Sequence, residues 1–174
     1  MSARRVAVVV GNPKPQSRTL AAASRLAREL SGREPDFVVD LAERGSSLLD
    51  FADADVARLV DQIATADLVI VASPTYKASI TGLLKLFLDR FAGGSLTGIA
   101  VPLMLGAGPG HALAPEYTLR PVLAELGALT PVRGLYVRDS EYDDPAAYEP
   151  WLASARPVVD AILRHRNDTT GVLV

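Results

Sequence analysis

The stretch VAVVVGNPKPQSRT, residues 6–19, decides how the rest of the chain is interpreted. Its five apolar residues, Val6–Val10, predict a buried strand. Pro13 and Pro15 oppose an early helix, so the next helix is expected to begin near Ser17. The first N–H groups of a helix have no intrahelical acceptor, and the helix dipole favours negative charge. A strand, a polar loop and a helix start in this order therefore predict a phosphate-binding site.

Length and composition predict one domain with its own core. The chain has 174 residues, 49% of them hydrophobic and 22% charged, and we expect a domain at residues 1–166 followed by a tail at 167–174. The formal net charge of -2 argues against a nucleic-acid partner. The absence of cysteine excludes disulfides and cysteine nucleophiles, and it fits a cytoplasmic protein. With two distant histidines and no run near ~18 apolar residues, neither a metal site nor a membrane span is expected.

Apolar runs alternate along the chain with segments of helical periodicity. Their Val, Ile and Leu content is typical of a parallel sheet that is covered on both faces. The expected strands are Arg5–Val10, Phe37–Leu41, Leu68–Ala72, Ile99–Leu105 and Val132–Val137. Between and after them, apolar residues recur at helical spacing, as they do from Leu20 to Leu30. This alternation predicts a doubly wound α/β sheet.

Two further segments are expected beside the first loop, because ligands of such sheets bind beyond the carboxyl ends of the strands. SPTYKASITGLLKLFLDR, residues 73–90, follows the third expected strand. In it Pro74 should end the strand, and Ser79 should cap a helix that starts at Ile80. GAGPGH, residues 106–111, follows the fourth strand, and its glycines allow a flat ligand to approach the backbone.

Each segment also has an ordinary structural interpretation. The first loop could be a βα turn with a capping serine, and the second segment could be a capped helix on the sheet. GAGPG lacks the G-x-G-x-x-G spacing of a dinucleotide fingerprint. Beyond the fifth strand, Asp139, Glu141, Asp143 and Asp144 favour a solvated loop over a magnesium site. Only the three segments together favour a flavin site.

Together the segments resemble the NAD(P)H-dependent FMN reductase family. That family has a G-S-P-R-x-x-S-x-T type phosphate loop, a P-x-Y-x-x-S-x-x-G-x-L-K segment and a Gly-rich loop after its fourth strand, and the similarity runs from about Arg4 to Asp144. The strings YKASITGLLK and AxxYxLRPVLxELGA, the latter at Ala114–Ala128, are most similar to the branch that supplies reduced flavin to sulfonate monooxygenases. The resemblance implies a flavodoxin-like fold: a five-stranded parallel sheet of order 2-1-3-4-5 in a three-layer α/β/α arrangement.

The resemblance also assigns roles to residues. The FMN phosphate would be held by Asn12, Pro13, Lys14, Ser17, Arg18 and Thr19. The isoalloxazine ring and ribityl chain would be lined by Pro74, Thr75, Tyr76, Lys77, Ala78 and Ser79. The other edge of the ring would pass Gly106, Ala107 and Gly108. Asn12 and Lys14 depart from the serine and arginine usual in the family, so Arg18 is expected to make the bidentate phosphate contact that a lysine cannot make.

The implied activity is hydride transfer from NADPH or NADH to FMN, with no catalytic side chain and no metal. FMN itself carries the electronic change. We expect the reduced FMN to supply a partner monooxygenase. An FMN-bound reductase of quinones, azo dyes or metal oxyanions remains open. So does a flavodoxin-type electron carrier, which the charge of -2 disfavours because such carriers are strongly acidic. A scaffold or regulatory protein without flavin is the third alternative.

The expected helix Ile80–Phe91 is apolar around more of its circumference than one sheet contact buries. We expect the excess to meet another subunit in a homodimer or a homotetramer, although the helix could instead be covered by its own chain. In the resembled branch, the helix that contains Tyr117 holds a π-bulge at the tetramer interface. Tyr117 followed by Pro121 is compatible with such an irregularity.

Overall fold

The computed structural model describes residues 4–170, with side chains from 4 to 166. Over this range strands and helices alternate. The elements are β1 (Val6–Val10), α1 (Arg18–Ser31), β2 (Phe37–Asp40), α2 (Ala54–Ala64), β3 (Leu68–Pro74), α3 (Gly82–Leu88), β4 (Ile99–Gly106), a π-helical segment (Pro115–Leu119), α4 (Arg120–Glu125), β5 (Leu135–Arg138) and α5 (Glu149–Thr170). All five strands were predicted, with ends that differ by up to three residues. Of the predicted tail, residues 171–174 lie outside the described residues, while α5 continues to Thr170.

Within the described residues, the five strands form one parallel sheet of order β2-β1-β3-β4-β5, which confirms the predicted fold. β1 lies between β2 and β3, with Val8 opposite both Val38 and Ile70. Every residue of β1, β3 and β4 is buried. Burial on both faces explains why these strands are apolar without alternation, apart from Ser73 of β3.

Helices cover both faces of the sheet. α1 and α5 pack on one face, and α2, α3 and α4 pack on the other. α1 begins where predicted, because Ser17 accepts a hydrogen bond from the Leu20 N–H and so caps the helix. It ends at Gly32, whose φ of 72° suits a residue without a Cβ. This cap fixes the first loop at the carboxyl edge of the sheet.

The predicted start of α3 was wrong. Thr81, in extended conformation, caps α3 by accepting a 3.1 Å hydrogen bond from the Leu84 N–H. Ser79 does not serve as the cap, because its backbone closes a tight turn with Tyr76. The helix also stops at Leu88, which is earlier than the predicted end at Phe91. The apolar excess is therefore smaller than expected, since most of the large side chains of this region are buried within the chain, namely Leu84, Phe87, Leu88 and Phe91.

The predicted irregularity around Tyr117 is confirmed: residues Pro115–Leu119 form a π-helical segment that leads into α4. Glu116 braces it by accepting hydrogen bonds from the Gly134 N–H and, at 2.8 Å, from Arg120. Burial raises the pKa of Glu116, but the two donors outweigh burial and leave this pKa lowered. Tyr117 itself is 74% exposed.

Candidate functional site

The loop after β1 is held in shape by its own side chains. Asn12 Nδ2 donates a 3.0 Å hydrogen bond to Thr19 Oγ1, and Asn12 Oδ1 accepts one of 2.9 Å from the Lys14 N–H. Ser17 and Thr19 are buried, whereas Pro13 and Lys14 are exposed. At the start of α1, the N–H groups of Arg18 and Thr19 have no intrahelical acceptor. This loop, residues 11–19, is called the phosphate loop below.

Asp40 is a residue of this site that the sequence interpretation missed. It is buried at the carboxyl end of β2, where Oδ2 accepts a 3.0 Å hydrogen bond from the Gln16 N–H. Its Oδ1 accepts another, of 3.2 Å, from the Ala42 N–H. Gln16 has a φ of 49°, an unfavourable value for a residue with a Cβ, and the carboxylate stabilises it there. A single acidic residue within the otherwise apolar run Phe37–Leu41 was the signal available in the sequence.

The Arg18 side chain contacts the segment that follows β5. Its guanidinium lies 5.7 Å from the centre of the Tyr142 ring, and one of its nitrogens is 3.5 Å from the Asp139 carbonyl. Arg25 makes the same pair of contacts farther along α1, with the Tyr148 ring and the Asp143 carbonyl. Arg18 is exposed, whereas Arg25 is partly buried.

The segment after β3 contains a strained turn, Tyr76–Ser79. The Tyr76 N–H donates to the Ser79 carbonyl at 2.9 Å, and the Ser79 N–H donates to the Tyr76 carbonyl at 3.1 Å. Between them Lys77 and Ala78 have φ values of 52° and 64°. A residue with a Cβ at such values costs about 1–3 kcal/mol, and such strain clusters at functional sites. Tyr76, Lys77 and Ala78 are exposed at the rim of the sheet.

Thr75 precedes this turn and carries an unsatisfied group. Its Oγ1 is buried and has no hydrogen-bond partner among the described residues. Its N–H donates a 2.6 Å hydrogen bond to the Leu105 carbonyl, which joins the segment after β3 to the end of β4. A buried hydroxyl without a partner is costly, so its presence here fits a polar ligand group bound beside it.

The glycines after β4 serve different purposes. A Cβ on Gly106 would lie 2.3 Å from the Tyr136 oxygen, so this glycine makes room for Tyr136 of β5. The Tyr136 hydroxyl in turn donates a 2.6 Å hydrogen bond to the Gly108 carbonyl. Burial, and next the charge of Asp139, raise the pKa of Tyr136, so it stays protonated as a donor at neutral pH. Around Gly108 there is open space, and Ala107 is exposed.

The acidic residues beyond β5 lie in a loop that is contacted by arginine side chains. Asp139 and Asp143 offer their carbonyls to Arg18 and Arg25, as described above, and Glu141 is paired with Arg138. Within residues 4–166 no group of three or more His, Asp or Glu side chains is arranged to hold a metal ion. No helix in the described part of the chain is long and apolar enough to cross a membrane.

The sheet order and the position of the loops at its carboxyl edge define a flavodoxin-like α/β protein. A family model for NADPH-dependent FMN reductases matches residues 4–143. The chain therefore belongs to the NADPH-dependent FMN reductase family. Its activity is the family's, the reduction of FMN by a reduced nicotinamide, and this confirms the cofactors and the enzyme class predicted from the sequence.

Individual relatives agree with this assignment. The NADH-dependent FMN reductase SfnF of Pseudomonas putida is 36% identical over 155 residues, which cover 84% of this chain and 83% of the relative. The NADPH-type FMN reductase of Pseudomonas aeruginosa is 36% identical over 149 residues, covering 80% and 78%. Among solved structures, the apo form of the NADH:FMN oxidoreductase EMOB superposes with a TM-score of 0.79 at 28% identity, over 94% of this chain and 90% of that one.

Proposed function

We propose that the phosphate loop holds the phosphate of FMN and that the isoalloxazine ring lies between the strained turn Tyr76–Ser79 and the Gly106–Gly108 segment. The observation that carries this proposal is the unpartnered Thr75 hydroxyl, buried where the ring and ribityl chain would lie. The open space at Gly108 would admit the edge of a flat ring. The free N–H groups at the start of α1 suit an anion.

In this arrangement the protein would orient the flavin and the nicotinamide relative to each other, and it would supply no acid–base group. The phosphate loop, the strained turn and the Gly106–Gly108 segment would hold FMN, which would supply the electronic chemistry of hydride transfer from a reduced nicotinamide. The strained turn would present backbone groups to the ring, and the two loops would fix the ring plane on which the nicotinamide stacks. No protein proton donor is required for the transfer of a hydride, so we assign no catalytic side chain.

The phosphate assignment is tested by comparing FMN with riboflavin, which lacks the phosphate. Arg18→Ala should raise the Kd for FMN by about 10–100-fold, the value of one charge-assisted hydrogen bond, and the Kd for riboflavin by less than threefold. Arg25→Ala is the matched control, because it removes the same kinds of contact from the same helix. Equal weakening of both flavins by Arg18→Ala would contradict the placement.

We further propose that the reduced FMN leaves the protein to supply a flavin-dependent monooxygenase in the cytoplasm. The YKASITGLLK and Ala114–Ala128 strings support this proposal through their resemblance to the sulfonate branch, and the lack of cysteine fits a reducing compartment. Steady-state kinetics test the proposal. Weakly held FMN, released after reduction, is expected. Tight FMN with ping-pong turnover would instead indicate a reductase of quinones, azo dyes or metal oxyanions. An electron carrier would stay oxidised when mixed anaerobically with NADPH or NADH.

A homo-oligomer formed through the α3 side of the sheet is also part of the proposal. Leu83 and Leu86 are only partly buried, and Phe51 is 68% exposed beside Arg90, whose guanidinium lies 4.8 Å from the centre of the Phe51 ring. Exposed apolar side chains that adjoin one another favour subunit contact. Sedimentation should show a dimer or tetramer that Leu86→Glu dissociates, whereas Val158→Glu on α5 should leave it intact. A monomeric wild-type protein would contradict this part.

A further inference from the structure

We infer that Thr81 is a positioning residue that fixes the phosphate loop relative to the strained turn, and so sets the distance between the sites for the phosphate and for the flavin ring. The inference rests on the proposed function, because it takes FMN to span these two segments. Thr81 lies outside the residues expected to touch FMN. It is 4% exposed, and its hydroxyl donates a 2.5 Å hydrogen bond to the carbonyl of Gly11, where the phosphate loop begins.

Thr81 is held from the other side as well. Its N–H donates a 3.1 Å hydrogen bond to Ser73 Oγ, and that hydroxyl donates a 2.8 Å bond to the Pro74 carbonyl. Ser73 is completely buried. These hydrogen bonds therefore connect the end of β3, through Thr81, to the first residue of the phosphate loop. The strained turn lies in the sequence between Ser73 and Thr81. Seventy positions of sequence separate Thr81 from Gly11.

The link needs a hydroxyl for a specific reason. Thr81 Oγ1 donates to Gly11 and at the same time accepts from the Leu84 N–H, which only a group that is both donor and acceptor can do. Gly11 cannot move aside to compensate. Its N–H is bonded to the Ala72 carbonyl at 2.8 Å, and a Cβ on it would overlap the Cβ of Leu84. Serine preserves both bonds, and valine, of the same shape, loses both.

The ratio of the Kd values for riboflavin and FMN distinguishes a positioning role of Thr81 from a purely structural one. Loss of a structural contact lowers the free energy of unfolding. In the protein that remains folded, it changes the Kd values for FMN and riboflavin by the same factor. Loss of the spacing between the two sites penalises only the ligand that must occupy both, and riboflavin has no phosphate to place. The preference for FMN, Kd(riboflavin) divided by Kd(FMN), therefore reports the spacing.

The experiment measures this preference by fluorescence titration for the wild type, Thr81→Val and Thr81→Ser. Thr81→Val should reduce the preference at least tenfold, raise the KM for FMN by a similar factor and change riboflavin affinity less than threefold. Thr81→Ser should restore the preference to within threefold of the wild type. Thr65→Val is the matched control, since among the described residues the Thr65 hydroxyl bonds to carbonyls at the end of α2, those of Asp61 and Gln62.

An unchanged preference in folded Thr81→Val would overturn the inference. If that variant does not fold, Ser73→Ala replaces it, because it removes the bond to the Thr81 N–H and keeps the threonine cap. It should reduce the preference at least threefold, and no reduction would equally overturn the inference. Failure of the proposed function is recognised separately: the wild type would then bind FMN and riboflavin equally well.

Discussion

Gly106→Ala should destabilise the protein through Tyr136, and the cost can be worked out from the structure. The new Cβ would lie 2.3 Å from the Tyr136 oxygen, about 1 Å inside ordinary contact. Tyr136 would have to move and lose its 2.6 Å hydrogen bond to Gly108. Overpacking costs about 1–3 kcal/mol, and the lost bond costs about 1 kcal/mol. We therefore expect a loss of about 3 kcal/mol in the free energy of unfolding.

Tyr136→Phe separates the two contributions. Alone it should cost about 1 kcal/mol, the value of the hydrogen bond. With the oxygen gone, the ring atom nearest to a Cβ added at Gly106 is 3.1 Å away in wild-type geometry, which a small shift of the ring relieves. The double variant should therefore be no less stable than Gly106→Ala alone, a coupling of about 1–2 kcal/mol between the two positions.

The measurement is urea denaturation of the four proteins of this cycle without flavin. Gly108→Ala is the control, since nothing lies within 4 Å of the added Cβ and its φ of -160° suits any residue. That change should leave stability within about 0.5 kcal/mol of the wild type. Additivity of Gly106→Ala and Tyr136→Phe within about 0.5 kcal/mol would refute the steric explanation.

Three further changes test other parts of the account. Ala78→Gly should raise the free energy of unfolding by about 1 kcal/mol in thermal melts, because relief of the strained φ outweighs the added entropy of the unfolded chain; a loss would contradict the strain. Asp40→Asn should lower the free energy of unfolding by about 1–3 kcal/mol and weaken FMN binding, because the two side-chain atoms of an amide cannot both accept from the backbone N–H groups of Gln16 and Ala42. Unchanged FMN binding in calorimetric titration would contradict the role of Asp40 in shaping the phosphate loop. The Arg33 hydrogen bond, and next the Val6 N–H, lower the pKa of Asp36 from 3.8 to about 2. Its contribution to stability is therefore complete above pH 4 and lost as the pH falls toward 2, and Asp36→Asn should flatten that part of the acid-denaturation curve.

The fold was predictable because strands that are buried on both faces have recognisable, almost continuously apolar sequences. β1 and β4 are apolar throughout, and β3 is apolar apart from Ser73 near its end. The helix between β1 and β2 has a regular apolar face with Ser17 and Gly32 as its caps. These signals are local, so they can be seen without the structure. The positions of the three candidate segments at the carboxyl edge of the sheet then followed from the rule that parallel strands end at one edge.

The residues whose hydrogen bonds stabilise the loops of the candidate site could not be predicted in the same way. Thr81, Asp40 and Tyr136 act on loops that are far from them in sequence, and no local pattern encodes those hydrogen bonds. The start of α3 was misplaced for a related reason. A tight turn with φ above 50° at two residues normally contains glycine, and Lys77 and Ala78 gave no such signal. The sequence predicted a helix from Ile80, whereas the turn and the Thr81 cap delay its start to Gly82.

A crystal structure of the FMN complex tests the central claim most directly. The phosphate is expected within 3.2 Å of Ser17 Oγ or of the N–H groups at the start of α1, with the ring between the turn Tyr76–Ser79 and Gly108 and the Thr75 hydroxyl bonded to the flavin. A phosphate bound elsewhere, or a phosphate loop closed by its own side chains while FMN occupies another edge of the sheet, would contradict the account.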